Sequence, residues 1–383
     1  MDAEVAVVGL GAMGSMTAWR LAAAGSDVLG FDQFGIGDPW TAAGESRALV
    51  RALVPQNDFL PPVDRAIELW QQLAEESGCS LYVKSGTLVI GKQSSARMRA
   101  MADAAAGFGF EVLDHHETRR RYPAHIMATE DIAVFENEGG VLRSELAVVA
   151  AARLAENHGA RLVTGHSVER IESGPGGVTL EAAGQTYRVR RAVVTPGAWT
   201  STLLPELAPH VTARRCVTAW WAVDDAALFT PERFPSFVRS SYDTTGAALA
   251  GKTYFGFPSL DGASVKFARS GTYGPVPPTD RLDQHLEDSI VEAHRARLRA
   301  TLTGLHDQPH RIQVTMDGFT PDRAPVLGPL PGKDNIILAT GFSGTGFQFA
   351  SAIGDLLAGI ATSGTVPDSV ARLSVTRFAH TRA

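Results

Sequence analysis

The chain has 383 residues, 44% hydrophobic and 20% charged, an ordinary globular composition that excludes disorder as a description of the whole. At roughly 150 residues per domain, this length predicts two or three domains, each able to bury a core. Lysine and arginine number 35 against 41 aspartates and glutamates, and this net charge of −6 argues against a nucleic-acid partner, because phosphate contacts need a basic footprint.

Cys79 and Cys216 are the two cysteines, too few for a disulfide framework, which fits a reduced compartment. The N-terminus shows no basic region or cleavage site of a secretory signal. Apolar runs are broken well short of the roughly 20 residues that a membrane span needs. The expectation is a soluble, cytoplasmic protein.

The first strand is predicted in Glu4–Leu10, around the β-branched run Val5-Ala6-Val7-Val8. Gly9-Leu10-Gly11-Ala12-Met13-Gly14 follows, then a helical stretch to Ala24, a break at Gly25 and a second strand from Asp27 to Phe31 that ends on Asp32. Gly9 permits the tight turn, Gly11 lets the backbone approach a pyrophosphate, and Gly14 lets helix and strand pack closely. The helix N-terminus offers N–H groups to phosphate. A carboxylate about twenty residues on binds ribose hydroxyls and disfavours a 2′-phosphate. This unit predicts a bound dinucleotide and does not by itself separate NAD from FAD.

Further along, Thr41–Arg47 is a small-residue loop that ends in an arginine. A helix is predicted from Leu60 to Glu76, with Val63, Ala66, Ile67, Trp70 and Leu73 on one face. A strand is predicted over Ser85–Gly91, and a helix over Ser144–Gly159 with Ser144 as its N-cap. Residues Val211–Arg269 read as strand-rich, and Leu282–Leu302 as a charged helix. Near the C-terminus the strand Asn335–Thr340 runs into Gly341-Phe342-Ser343-Gly344-Thr345-Gly346-Phe347 and an amphipathic helix. Strands and helices alternate at both ends around a β-rich block, a mixed α/β pattern.

Taken together, the N-terminal fingerprint, the Gly44–Arg47 loop, Gly197-Ala198-Trp199, Thr320-Pro321-Asp322 and Gly341–Phe347 resemble the FAD-dependent amine oxidases of the D-amino-acid oxidase superfamily. The chain is most similar to the branch of monomeric sarcosine oxidases and N-methyltryptophan oxidases, over nearly its full length. The resemblance implies a Rossmann-like FAD-binding domain built from discontinuous segments (1–80, 140–210 and 320–383). It also implies a substrate domain with a mixed, mainly antiparallel sheet (81–139 and 211–319). It implies FAD contacts from Gly9, Gly11, Ala12, Met13, Gly14, Asp32, Gln33, Ser46, Arg47, Val168, Gly197 and Trp199. The C-terminal set is Gly341, Ser343, Gly344, Thr345, Gly346, Phe347 and Gln348. A helix N-terminus at Gly344–Gly346 would aim N–H groups at the negative charge of a reduced flavin.

The catalytic candidates are Lys266 and Arg47. Lys266 sits in the strand-like Ala263–Ala268 and reads from the residues alone as a surface lysine. The resemblance instead places it over the flavin, where a fixed cation would stabilise superoxide. Arg47 matches a loop arginine near the flavin ring. Substrate contacts are expected from Arg51, Tyr254, Asp317 and Gln348. The chain departs from the family pattern at several places: Ala42 and Ala43 replace histidines, Val50 replaces an arginine, and Thr315 replaces the cysteine that carries a covalent flavin link. Asp317 replaces a tyrosine, Gln348 a lysine and Ser270 a histidine. These changes predict noncovalent FAD and a substrate other than simple sarcosine.

Other features carry less. His115 and His116 are adjacent, and His306 and His310 flank Pro309 in an expected surface loop, so no metal site is predicted. Arg119–Arg121 reads as a solvated helix face, and one ring of Trp220-Trp221 is expected in the core. The expected function is oxidation of the C–N bond of a secondary or N-methylated amine, with a small-molecule amine and molecular oxygen as partners. The expected protein is monomeric, with no nucleic acid and no membrane. The alternatives are an FAD-dependent oxidase or dehydrogenase of an amino acid or 2-hydroxy acid, a plain NAD dehydrogenase, and a flavin domain in RNA modification.

Overall fold

The computed structural model describes residues 1–42, 47–49, 63–242, 248–277 and 282–380. The β-branched run near the N-terminus forms the strand Ala3–Val8, buried on both faces. It lies at the centre of an eight-stranded sheet, parallel to Val28–Asp32 on one side and to Gln185–Val194 on the other. Arg161–Thr164 extends the sheet beyond Val28–Asp32, and Lys333–Thr340 pairs in parallel with the end of Gln185–Val194. Strands from three distant stretches of the chain thus share one parallel core, which is why their sequences are continuously apolar.

Helices cover one face of this sheet. Ala12–Ala23, Val63–Ser77, Ser144–Asn157 and Ala350–Ser363 bury Trp19, Trp70, Leu69, Val148 and Ile353 in one cluster. The helix predicted from Leu60 is described from Val63, and the stretch before it lies outside the described residues. Arg143, rather than Ser144, occupies the N-cap position of the third helix and makes no side-chain cap bond. The charged helix runs from Asp288 to Thr301, shorter than Leu282–Leu302. Gly354 lies where Ala350–Ser363 crosses Ala12–Ala23. A Cβ there would stand 2.5 Å from the Met16 Cβ, so the helices meet backbone to backbone.

The second sheet has eight strands in the order Leu305–Phe319, Thr212–Val223, Ser264–Arg269, Ala248–Phe257, Ser236–Tyr242, Thr87–Lys92, Asp131–Glu136 and Glu111–Leu113. Every pairing is antiparallel except Ser236–Tyr242 with Thr87–Lys92. Alternation divides its faces. Trp221, Phe237, Phe267 and Tyr254 pack with Leu298 and Leu302 on one face. Cys216, Thr218, Trp220 and Lys266 belong to the other face, which looks towards the glycine turns of the first sheet. His306 and His310 lie in the Leu305–Phe319 strand rather than a loop, and His306 pairs with Asp224 at 3.0 Å. The Arg119–Arg121 stretch ends the short helix His115–Arg121, where Arg120 and Arg121 pair with Glu117. A third sheet joins Arg47–Leu49, Gly140–Leu142 and Tyr82–Lys84. Among the described residues, no single helix is long and apolar enough to cross a membrane.

His125 is buried against aromatic rings. It stacks on Phe234 at 5.0 Å and meets Phe237 edge-on at 4.9 Å, and neither ring nitrogen has a partner among the described residues. Burial, reinforced by the nearby Arg239 charge, lowers its pKa to about 3. The unfolded chain takes up a proton near pH 6.5 that the folded chain refuses until far lower pH. The His125 contribution is therefore intact above about pH 6.5 and lost as pH falls below it, by up to about 1.4 kcal/mol per pH unit. His125→Phe should flatten the dependence of unfolding temperature on pH between about 7 and 5. An unchanged slope in calorimetry would assign the acid sensitivity to another group.

Candidate functional site

The turn between Ala3–Val8 and Ala12–Ala23 is set by its glycines. Gly9 adopts φ +87, open to a residue without a Cβ. A Cβ on Gly14 would lie 1.8 Å from the Gly9 carbonyl oxygen and 2.6 Å from Thr195 Oγ1. Thr195 Oγ1 donates to that same carbonyl at 2.6 Å, tying the turn to the end of Gln185–Val194. At Gly11 the opposite holds: a Cβ would meet no atom within 4 Å. The backbone there faces an open cavity, as the approach of a pyrophosphate requires.

Asp32 closes the same region from the end of its strand. Its Oδ2 accepts the Leu10 N–H at 2.7 Å, and Oδ1 accepts the Phe34 N–H at 2.9 Å. Burial pushes its pKa up, and the two N–H groups work against that shift. Each carboxylate oxygen keeps a second lone pair for a ligand hydroxyl.

A cavity of about 600 Å³ begins at this turn. Gly9, Gly11, Ala12, Met13, Asp32 and Gln33 line its first end. Val168, Gly197 and Trp199 also line it; Gly197 has φ +53 and leaves open space where a Cβ would be. Trp199 Nε1 is buried and has no partner among the described residues. The far end is formed by Thr315, Asp317, Ser343, Gly344, Thr345, Gly346 and Phe347. An open glycine cradle, an acid at the strand end and an orphaned indole N–H along one cavity fit an extended dinucleotide, and FAD meets that description.

Three expected contacts do not line the cavity. Gly14 sits behind the turn and acts through packing. Gly341 stands at φ +72 against Thr320, with Cγ2 2.6 Å from where its Cβ would be. Gln348 lies just beyond the lining stretch, where its carbonyl accepts the Trp70 indole N–H at 2.9 Å. The helix N-terminus expected at Gly344–Gly346 is capped by Gly346, from which a 3₁₀ turn over Phe347–Phe349 leads into Ala350–Ser363. Ser343 and Gly344, with left-handed φ values of 53 and 85, form the turn that precedes this start.

Lys266 is buried, with 3% of its surface exposed, so the surface-lysine reading is wrong. It does not line the main cavity. It lines a neighbouring cavity of about 500 Å³ with Trp220, Arg143 and Arg311. Its Nζ stands 5.1 Å from the Trp220 ring centre and 5.5 Å from that of Phe257, and the Arg311 guanidinium lies 4.5 Å over the same indole. Thr218 lines the main cavity and Trp220 the second one, two residues along the same strand face. The two cavities therefore open on one sheet surface at strand positions about 7 Å apart.

Tyr254, expected to face the substrate, lies on the opposite face. It stacks on Phe267 at 5.5 Å within the core, and its neighbour Phe255 lines the cavity instead. A one-residue step along a strand exchanges faces. Asp317 lines the cavity, but both oxygens already accept backbone N–H groups, from Gly318 at 2.8 Å and Gly344 at 2.9 Å. Ser46 and Arg51 lie outside the described residues, and for Arg47 only the backbone strand pairing with Leu142 is described. Cys216 lines the cavity directly opposite Thr315 across the strand pair, and Phe255 and Thr218 join it; pairing Lys266 with its neighbouring strands would have located all three.

Asp32→Ala should leave the Leu10 and Phe34 N–H groups without their acceptor, at a cost of about 1–3 kcal/mol for each group left buried. We expect a lower unfolding temperature and at least tenfold weaker rebinding of FAD by the apoprotein, read by flavin fluorescence. Unchanged FAD affinity would remove Asp32 from the site.

Residues 4–360 match the family model DAO, described as FAD dependent oxidoreductase. Monomeric sarcosine oxidase of Streptomyces avermitilis is 30% identical over 385 residues, covering 98% of this chain and 98% of that protein. N-methyl-L-tryptophan oxidase of Salmonella typhi is 29% identical over 383 residues, covering 99% of this chain and all of the other. Among solved structures, the open form of NikD, described as an unusual amino acid oxidase, superposes with a TM-score of 0.81 at 20% identity, covering 97% of each chain. L-proline dehydrogenase from P. horikoshii gives 0.77 at 18% identity over 99% of this chain and 98% of its own.

Proposed function

The chain belongs to the DAO family of FAD-dependent oxidoreductases, and from that premise we propose that it oxidises the C–N bond of a secondary or N-methylated amine, with oxygen as acceptor and hydrogen peroxide as product. The observation that carries this reading is the single cavity joining the N-terminal glycine turn to the 341–347 turn over the face of the second sheet. Two relatives are named for sarcosine and N-methyl-L-tryptophan. When bound, FAD supplies the two-electron chemistry, taking a hydride from the carbon beside nitrogen and returning electrons to oxygen.

The chain's own residues hold and orient. The 9–14 turn and the helix N-terminus behind it would take the pyrophosphate, and Asp32 a ribose hydroxyl. Val168, Gly197 and Trp199 would flank the middle of the cofactor. Phe255 and Phe347 line the cavity and would help keep water from a bound flavin. Lys266, buried between two rings in the adjoining cavity, is our candidate for the cation that stabilises superoxide. We assign Arg47 to the flavin side on the family resemblance alone. On the same basis the FAD domain comprises 1–80, 140–210 and 320–383, and the substrate domain 81–139 and 211–319. A monomer in the cytoplasm completes the proposal.

The substrate is a larger amine without a free α-carboxylate. Sarcosine presents a carboxylate, and Val50 and Gln348 supply no cation at the positions that the resemblance assigns to its recognition. An unpaired anion taken out of water is disfavoured. The purified protein should show a flavin absorbance spectrum. Acid precipitation should release the chromophore, because Thr315 offers no thiol for attachment. A peroxide assay over an amine panel should rank sarcosine low. A colourless protein would remove the function, whereas efficient peroxide formation from sarcosine would remove only the substrate.

Lys266→Met should slow reoxidation by oxygen by about 10²-fold and leave anaerobic reduction by substrate nearly unchanged, the effect of losing one preorganised charge. Equal losses in both half-reactions by stopped flow would make Lys266 a packing residue.

A further inference from the structure

The 341–347 turn does not hold its shape alone. It is fixed by the end of the Leu305–Phe319 strand and the residue that follows. The Ser343 N–H donates to the Gly318 carbonyl at 3.0 Å, Phe319 and Phe342 form an isolated bridge, and Thr320 N–H donates to Ser343 Oγ at 3.3 Å. These contacts hold Ser343 at φ 53, a left-handed conformation that disfavours any residue with a Cβ. Asp317 adds a charged latch: its Oδ2 accepts the Gly344 N–H at 2.9 Å, and its Oδ1 accepts the Gly318 N–H.

The latch has an electrostatic consequence. Asp317, Ser343, Gly344, Thr345 and Gly346 all line the cavity. The Gly344 N–H, which could have faced an electron-rich ligand, is spent on a carboxylate. A negative charge also stands within hydrogen-bond distance of the backbone that forms this end of the cavity. A ligand that gains electrons there meets the Asp317 charge, which opposes the positive end of the helix that starts after Gly346.

We propose that Asp317 is a positioning residue that fixes the 341–347 turn and lowers the reduction potential of bound FAD. The inference rests on the reading that FAD occupies this cavity. Its charge would set how strongly reducing the amine must be and favour rapid return of electrons to the acceptor.

The test is the midpoint potential of the FAD-loaded protein, measured against reference dyes, for the parent and three variants. Asp317→Asn keeps an acceptor for the Gly344 N–H but removes the charge. It should raise the potential by at least about 30 mV, a tenfold change in the two-electron equilibrium constant. Asp317→Glu should return it towards the parent value. Asp322→Asn removes a carboxylate that pairs with Arg377 at 2.8 Å and does not line the cavity, so it should leave the potential unchanged. Should Asp317→Asn fail to retain FAD, Asp317→Ser supplies the same comparison with a shorter acceptor and the same expected rise. An unmoved potential in the neutral Asp317 variants would overturn the inference, as would a shift in Asp322→Asn as large as that in Asp317→Asn. Parent protein that holds no FAD would overturn the function reading, and this inference with it.

Discussion

The closeness of Gly14 to the Gly9 carbonyl is the contact on which the rest of the structure turns. With 1.8 Å between that oxygen and a notional Cβ, no other side chain fits without moving backbone. Because the helix can come this near, Thr195 can reach the same carbonyl and bind the turn to a third segment of the chain. The strand Ala3–Val8, the helix Ala12–Ala23 and the strand Gln185–Val194 are thereby locked in one arrangement. The cavity opens in front of it at Gly11, where the backbone meets nothing. One glycine works by contact and another by its absence.

The second sheet supplies the opposite wall through alternation. Its helix-covered face is sealed by Trp221, Phe267 and Tyr254, which leaves Cys216, Thr218, Trp220 and Lys266 on the cavity face. Burying the Lys266 ammonium between two aromatic faces is a costly placement that cation–π attraction offsets in part. The adjoining pair of cavities follows from the 2-residue repeat along one strand, with no further element required.

Charge is distributed unevenly over this surface. Asp32 is held by two backbone N–H groups despite its burial, and Asp317, elsewhere in the cavity lining, is held in the same manner. Both carboxylates organise turns before they meet any ligand. That shared role explains how an acid can sit in the 341–347 region without disordering it: the charge is solvated by the backbone it positions.

Much of this was legible in the sequence. The order of strand, glycines, helix, strand and acid defined the dinucleotide unit, because backbone sterics at φ > 0 and at close approach restrict those positions to glycine irrespective of the rest of the fold. The strand-rich block and the amphipathic helices were readable from their periodicity, whereas the mainly antiparallel second sheet was implied only by the family resemblance. Tyr254 was not, since face assignment depends on register, and register is decided by pairing with strands far away in the chain. The bonds from Asp317 to Gly344 and from Thr195 to Gly9 were likewise invisible, as each joins residues that only folding brings together. The sequence by itself determined which local backbone could bind a dinucleotide. The tertiary structure alone decided which side chains face it, because strand register and long-range hydrogen bonds have no local signature.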